Sequence, residues 1–171
     1  VKKLVAADGT AYAQFGYAVA IDADTLVVGA RWDAAIDTDL GAAYIFSRNQ
    51  GGTNNWGQVT KLVAGDGAAG DHFGNAVAIS VDTVVVGALY DDDKGSSSGS
   101  AYIFSRNQGG PNNWGQVQKL VAGDGAGLDY FGMSVAVSGD IAVVGAHYDD
   151  DKGSSSGSAY IFSRNQGGTN N

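Results

Sequence analysis

The sequence predicts an all-β protein made of three copies of one antiparallel unit. Two observations carry this prediction: short sequence patterns recur every 58 residues, and the composition favours turns over helices. All eighteen acidic residues are Asp, and 27 glycines accompany a single proline. Because Asp and Gly favour tight turns whereas Glu favours helices, this composition predicts many short strands joined by turns.

The repeat is clearest at three Phe-Gly pairs, Phe15-Gly16, Phe73-Gly74 and Phe131-Gly132, which lie 58 positions apart. Residues 90–110 have the same sequence as residues 148–168. Near-identical copies at this period indicate one structural unit used three times. We therefore predict that residues 1–171 form a single repeat domain.

Each copy predicts four strands, which in the second copy cover residues 74–80, 83–89, 100–105 and 115–122. The second of these strands is apolar on both faces, as expected for a strand enclosed by neighbours. Four antiparallel strands per repeat predict the blade of a β-propeller. A β-solenoid of stacked hairpins is the alternative, although its repeats are shorter and less aromatic.

The blade boundaries follow from the repeat. We expect a first blade at residues 7–64, a second at 65–122 and a third at 123–171. Residues 1–6 align with residues 59–64, the fourth strand of the first blade, so they predict a closing strand for another blade. The third blade lacks its outer strand.

Phe73-Gly74, followed by Gly87-Ala88, resembles the FG-GAP repeat of the integrin α-chain propeller family. The segments Ser100–Phe104 and Trp114–Leu120 are similar to the bacterial branch of that family. The resemblance covers essentially the whole chain and implies a β-propeller in an extracellular or cell-surface setting. The glycines have a physical reason, because without a Cβ they let neighbouring backbones approach closely near a crowded axis.

The charge balance excludes some partners. A formal net charge of −8 argues against binding to nucleic acid, which depends on basic patches. No apolar run approaches the roughly 18 residues of a membrane span. There is no Cys for a disulfide or a thiolate zinc site.

Most of the Asp residues fall in loops at one end of the predicted strands. Clustered carboxylates of this kind suggest a calcium site. Calcium takes six to eight oxygen ligands, mostly carboxylates and carbonyls. We consider Asp91, Asp93, Asp149 and Asp151 as its ligands, with Ca²⁺ as the one possible cofactor. The alternative, which we favour, is that these residues cap turns and keep the surface soluble.

Three aromatic residues recur beside the Asp-rich loops and are candidates for binding a glycan or another small ligand: Trp32, Tyr90 and Tyr148. Sugar sites commonly combine an exposed aromatic ring with polar groups. The same residues could equally end a packed strand. For catalysis the sequence offers little, since His72 and His147 occupy different repeat positions. We predict no enzymatic activity and no catalytic residue.

The sequence thus favours a structural, adhesive or self-assembling module. The alternative is a lectin-like propeller, with or without the assistance of calcium. Three blades are fewer than the roughly four to eight that close a propeller. We expect residues Val1–Ala6 of one copy to pair with Tyr160–Ser163 of the next, and we favour a dimer over a trimer or a filament. The competing explanation is that covalent neighbours in a longer chain supply the remaining blades.

Overall fold

A computed structural model describes residues 1–34 and 39–164 of the chain. This part contains eleven strands and no helix: β1 Ala18–Asp22, β2 Thr25–Ala30, β3 Ala42–Ser47, β4 Gly57–Leu62, β5 Phe73–Ser80, β6 Thr83–Ala88, β7 Ser100–Ser105, β8 Gly115–Leu120, β9 Ser134–Ser138, β10 Ile141–Ala146 and β11 Ser158–Ser163. The all-β prediction is confirmed. In the same part of the chain, no helix is long and apolar enough to cross a membrane.

The strands form three antiparallel sheets in which chain neighbours pair. The first sheet has the order β1-β2-β3-β4, the second β5-β6-β7-β8, and the third β9-β10-β11. The pairing repeats residue for residue: Val28 lies opposite Tyr44 in the first sheet, and Val86 lies opposite Tyr102 in the second. The four strands predicted for the second repeat are present, with bounds within two residues of those expected.

The sheets stack face to face, and their apolar residues form the core. Each sheet has a leading face, typified by Val86 and Tyr102 in the second sheet, and a trailing face, typified by Val85 and Ala101. The trailing face of the first sheet packs on the leading face of the second, and the second packs on the third in the same way. Two equivalent interfaces thus hold three sheets together.

Glycines let the innermost strands approach closely. Gly74, in the second Phe-Gly pair, has a φ of +90°, and a Cβ there would overlap the Ala42 carbonyl of the preceding sheet. A Cβ on Gly87 would overlap the Gly132 carbonyl, which lies just before β9 in the third repeat. The close approach expected at Gly74 and Gly87 is therefore seen, between neighbouring repeats rather than within one.

The three sheets do not close into a ring within the described residues. Residues 1–6 form no strand in this chain, although Leu4 and Ala6 pack on the leading face of the first sheet. Residues 35–38 and 165–171, which include the end of the predicted third blade, lie outside the described residues. The leading face of the first sheet and the trailing face of the third are the two end faces of the stack.

Candidate functional site

A lysine, aspartates and a tyrosine meet at the same end of the first and second sheets. We call these groups the Lys–Asp–Tyr clusters. The tyrosine comes from the third strand of a sheet and the lysine from the fourth, where the two are directly opposite: Tyr44 faces Lys61, and Tyr102 faces Lys119. Directly opposed residues point to one face of a sheet, so strand pairing alone brings the ammonium and the phenol together.

The cluster of the second repeat is complete. Lys119 Nζ lies 2.8 Å from Asp66 Oδ2, 2.9 Å from Asp91 Oδ2 and 2.6 Å from Asp93 Oδ2. The Tyr102 hydroxyl lies 2.9 Å from Asp91 Oδ2 and 3.0 Å from Asp66 Oδ1. Lys119 Nζ also sits 5.2 Å from the centre of the Tyr102 ring. One ammonium group thus binds three carboxylates from two loops.

Among the described residues, the first repeat has the same cluster with one carboxylate fewer. Lys61 Nζ lies 2.9 Å from Asp8 Oδ2 and 2.8 Å from Asp33 Oδ1. The Tyr44 hydroxyl donates to Asp33 Oδ2 at 2.5 Å. The Asp33 side chain is almost completely buried, so a cation beside it offsets the cost of desolvating its charge.

The third repeat holds the acids and the tyrosine without a lysine among the described residues. The Tyr160 hydroxyl lies 2.7 Å from Asp149 Oδ2 and 2.9 Å from Asp124 Oδ1, as in the second repeat. Asp149 is 3% exposed, and Asp151 occupies the position of Asp93. The lysine position of this repeat would fall on a fourth strand, and the third sheet has three.

The pKa values of the aspartates in these clusters depend on whether a lysine is present. Burial alone would raise the pKa of Asp66, but hydrogen bonds from Lys119 and Tyr102 outweigh it and hold that pKa below its usual value. In the third repeat, repulsion from the Asp149 carboxylate, and then from Asp124, raises the pKa of Asp151. The cation of the second repeat thus stabilises ionised acids, and the third repeat has an excess of negative charge.

The four candidate calcium ligands lie in these clusters. Asp91 Oδ1 accepts the Asp93 backbone N–H at 3.1 Å, and Asp149 Oδ1 accepts that of Asp151 at 3.0 Å, so these carboxylates close their own loops. Within residues 1–34 and 39–164, no group of three or more His, Cys or acidic side chains is arranged to hold a metal ion. Calcium binding stays an untested hypothesis, and in the second repeat Lys119 lies among the carboxylates that a calcium ion would need.

The three candidate ligand-binding aromatics belong to one row of rings. The His72 ring lies between Trp32 and Tyr90, with centroids 5.1 Å and 4.7 Å away. The Tyr130 ring lies between Tyr90 and Tyr148, at 5.5 Å and 5.3 Å. We call these five residues the aromatic row. It crosses all three sheets at the end that carries the Lys–Asp–Tyr clusters.

The aromatic row offers polar atoms as well as ring faces. Trp32 Nε1 and His72 Nδ1 are buried and have no hydrogen-bond partner in the described part of the chain. Burial, followed by the positive charge of Arg31, lowers the pKa of His72, so its ring is neutral near pH 7. At the other end of the row, a cavity of about 370 Å³ is lined by aromatic, acidic and hydroxyl side chains, among them Tyr130, Tyr148, Asp150, Ser154 and Ser155.

Comparison with known families agrees with this repeated geometry. The model of the FG-GAP repeat matches residues 1–46, 56–104 and 114–162. The second and third matches each begin at the fourth strand of one sheet and run through the first three strands of the next. The chain belongs to the FG-GAP repeat family. FG-GAP repeats generally form non-enzymatic, propeller-like modules, typically in extracellular proteins. No curated protein matches the chain at a significant level.

The Phe-Gly pair of an FG-GAP repeat helps to place the aromatic row. Phe73 N–H donates to Leu40 O at 3.0 Å, and Phe131 N–H donates to Ser98 O at 2.9 Å, which ties each repeat to the one before it. The preceding residues, His72 and Tyr130, have φ values of +55° and +54°. This turn carries their rings into the row while both Phe side chains stay buried.

Sequence reasoning missed several members of these sites. His72 and Tyr130 occupy one repeat position, directly before a Phe-Gly pair, and that shared position was the available signal. Lys61 and Lys119 were not connected with the Asp-rich loops, because each lies far along the chain on a fourth strand. Their recurrence 58 residues apart was the signal, and the strand register gave it meaning.

Proposed function

We propose that the chain is a self-assembling, non-enzymatic scaffold whose copies join head to tail into a β-propeller with a structural or adhesive role. The observation that carries this proposal is the match between the two end faces. Inside the chain, a trailing face packs on a leading face at both interfaces between sheets. The third sheet ends the stack with a trailing face, and the first sheet begins it with a leading face. A second copy can therefore supply the face that each end lacks.

The exposure of equivalent residues supports this pairing. On the trailing face, Ile45 is fully buried beneath the second sheet, whereas its equivalent Ile161 is 68% exposed. On the leading face, Val77 packs into the first interface, whereas its equivalent Val19 is 70% exposed. Burying one such side chain stabilises a contact by about 1.5–3 kcal/mol. Both end faces thus gain from being covered.

The backbone supports the same arrangement. In the third sheet β11 pairs only with β10 within the described residues, so its other edge is open to a further strand. Open edges of this kind recruit strands from other chains. Residues Val1–Ala6 have the sequence pattern of β4 and form no strand of their own. They can pair with Tyr160–Ser163 of another copy.

The blade count favours a closed dimer. Three sheets per chain give six blades in two copies and nine in three. Six lies within the roughly four to eight blades of known propellers. A head-to-tail contact gives a ring if its rotation closes and a filament if it does not. A closed dimer has a blade number within this range, and it needs the fewest copies to form a ring.

Light scattering across a concentration series tests the proposal. The chain is expected to give twice its mass of 17.4 kDa and to lose that state when residues 1–6 are deleted. Circular dichroism of the deletion variant checks that its sheets remain. A folded 17.4 kDa monomer at high concentration would contradict the proposal, as would an unchanged dimer after the deletion.

A glycan-binding role is the second candidate, and the aromatic row favours it. Tyr90 and Tyr148 are 37% and 47% exposed, and Tyr148 borders a cavity that also presents Asp150 and two serines. A ring face beside hydroxyl and carboxylate groups suits the apolar face and the hydroxyls of a sugar. A scaffold of this kind could also bind glycans, so the two roles are compatible.

A glycan array separates the two roles. Selective binding that is lost in Tyr148→Ala and kept in Val117→Ala, a change at an exposed position of β8 away from the row, would support the lectin-like role. Uniformly weak signals from both variants and from the unaltered chain would leave the scaffold role alone.

A further inference from the structure

The third repeat contains the carboxylates and tyrosine of a Lys–Asp–Tyr cluster, and the missing member is an ammonium group. Two filled copies of the cluster in the same molecule show which ligand this arrangement takes. In each of them one lysine from a fourth strand lies within 3 Å of at least two carboxylates. The acids and the phenol of the third repeat keep the geometry of the second.

The repeat register identifies the lysine. Lys61 and Lys119 are 58 residues apart, and a further step of 58 towards the N-terminus reaches Lys3. Lys3 is exposed and makes no hydrogen bond or ion pair with the described residues. Its neighbour Leu4 stands at the position of Leu62, so the whole segment follows the pattern of β4.

Strand pairing sets where Lys3 arrives. Tyr44 faces Lys61 and Tyr102 faces Lys119 in the two complete sheets. In the same register, a segment added to the open edge of β11 places Lys3 opposite Tyr160. Its ammonium group would then face Asp124 and Asp149.

We propose that Lys3 of one copy enters the carboxylate cluster of another copy, where it binds Asp124, Asp149 and Asp151 beside the Tyr160 hydroxyl. This inference rests on the head-to-tail assembly proposed above and names the contact that fixes its register. A one-residue slip in one direction would place Leu4 at the cluster and leave the carboxylates without a cation. The opposite slip would bring Lys2 there, but it would put Lys3 at the apolar position that Leu62 occupies in β4. The charged cluster and the apolar position of Leu4 together therefore select one pairing of the two strands.

The electrostatics agree with this assignment. Asp149 is buried and Asp151 is repelled by its acidic neighbours, so the third repeat has the excess negative charge that Lys119 offsets in the second. An ammonium group inside a buried acidic cluster is held by several charge-assisted hydrogen bonds. Association should consequently weaken when either side of the contact loses its charge.

Zero-length carbodiimide cross-linking tests the contact in the unaltered chain, because it joins an amine to a carboxylate only when they touch. A mixture of ¹⁵N-labelled and unlabelled chains distinguishes links between copies from links within one. We expect mixed-isotope peptides joining Lys3 to Asp124 or Asp151. The internal links of Lys119 to Asp66 and Asp93 serve as positive controls in the same digest.

The matched variants are Lys3→Met and Lys2→Met, which remove the same charge from adjacent positions. Lys3→Met is expected to raise the dissociation constant of the assembly at least about tenfold, and Lys2→Met less than about threefold. In the Asp124→Asn background, Lys3→Met should have a smaller additional effect, because the two changes remove one interaction.

The outcomes separate the two proposals. An assembly that forms equally well with Lys3→Met and Lys2→Met, and gives no Lys3 cross-link, overturns the lysine contact and leaves head-to-tail assembly standing. A chain that stays monomeric overturns both. Calcium that raises the melting temperature of the chain, with loss of the effect in Asp149→Asn, would assign the cluster to a metal and also overturn the lysine contact.

Discussion

Val81 shows how one backbone position is filled by different residues in the three repeats. It lies in the tight turn between β5 and β6 with a φ of +53°, and Ala23 has a φ of +49° in the first repeat. In the third repeat Gly139 takes this position at +55°. A β-branched residue is strained at positive φ, whereas Gly and Asn tolerate it. The second repeat therefore stores backbone strain in a solvent-exposed turn.

Relieving that strain should stabilise the chain. We expect Val81→Asn to raise the free energy of unfolding by about 1 kcal/mol, since a strained φ costs about 1–3 kcal/mol and the Val81 side chain is largely exposed. Urea denaturation measures the change. Val117→Asn, the same substitution on an exposed position of β8, is the control and should lower stability. Equal losses from both variants would contradict this account.

At the scale of the strand, the pattern of the sequence predicted the elements well. β7 has the predicted bounds, and β5 and β6 are joined by the two-residue connection that lies between the predicted strands 74–80 and 83–89. Cross-strand consequences were harder to predict. Lys94 is next to the Asp-rich loop in sequence, but in the structure Lys119 of β8 binds the carboxylates of that loop. A lysine 28 residues away from Asp91 becomes its neighbour only through strand register.

The ion cluster between β8 and the loops should make stability depend on pH. The lowered pKa of Asp66 stabilises the fold above its unfolded pKa of about 3.9, and this contribution is lost as the pH falls through the lower folded value. Lys119→Met should therefore lower the free energy of unfolding by about 1–3 kcal/mol at pH 7. The difference from the unaltered chain should shrink below about pH 4.

Denaturation series at pH 7 and pH 3 measure this dependence, with Lys94→Met as the control. Lys94 is exposed, so its loss should change stability by about 0.5 kcal/mol or less at either pH. A Lys119→Met penalty that is the same at both pH values would show that the lysine acts through packing rather than charge.

The Asp-rich loops give a further prediction at this scale. Because the carboxylates of Asp91 and Asp93 already bind Lys119, and because we propose that Lys3 of another copy fills the cluster of the third repeat, we expect calcium at millimolar concentration to leave the melting temperature of the assembled chain nearly unchanged. Differential scanning calorimetry with and without calcium measures the shift. Isothermal titration that finds one tight site for each Asp91-type loop would contradict this expectation.

For the whole molecule, equivalent positions should respond differently to one substitution. Ile45→Asp buries an unpaired carboxylate between two sheets and should cost several kcal/mol, on the order of the whole stability of a domain. Ile161→Asp places the same charge on an exposed end face and should barely affect folding. It should instead prevent assembly, because the charge would be buried only against another copy.

Circular dichroism and light scattering on both variants separate these effects. If Ile161→Asp unfolds the chain as Ile45→Asp does, the trailing face of the third sheet is part of the folding core. If Ile161→Asp folds and assembles normally, that face is not a contact between copies. The sequence could predict that both residues are strand residues, but not which one a neighbouring sheet covers.

The stacking order of the sheets should also determine how fast the backbone amides of each strand exchange with solvent. The second sheet is covered on both faces, whereas the first and third are each covered by one neighbouring sheet. Amides of β6 and β7 should therefore exchange with deuterium last, and those of β11 first. Raising the protein concentration should slow exchange in β11 and leave β6 unaffected. The exchange rate of β11 would then depend on how much of the protein is assembled, and the exchange rate of β6 would not.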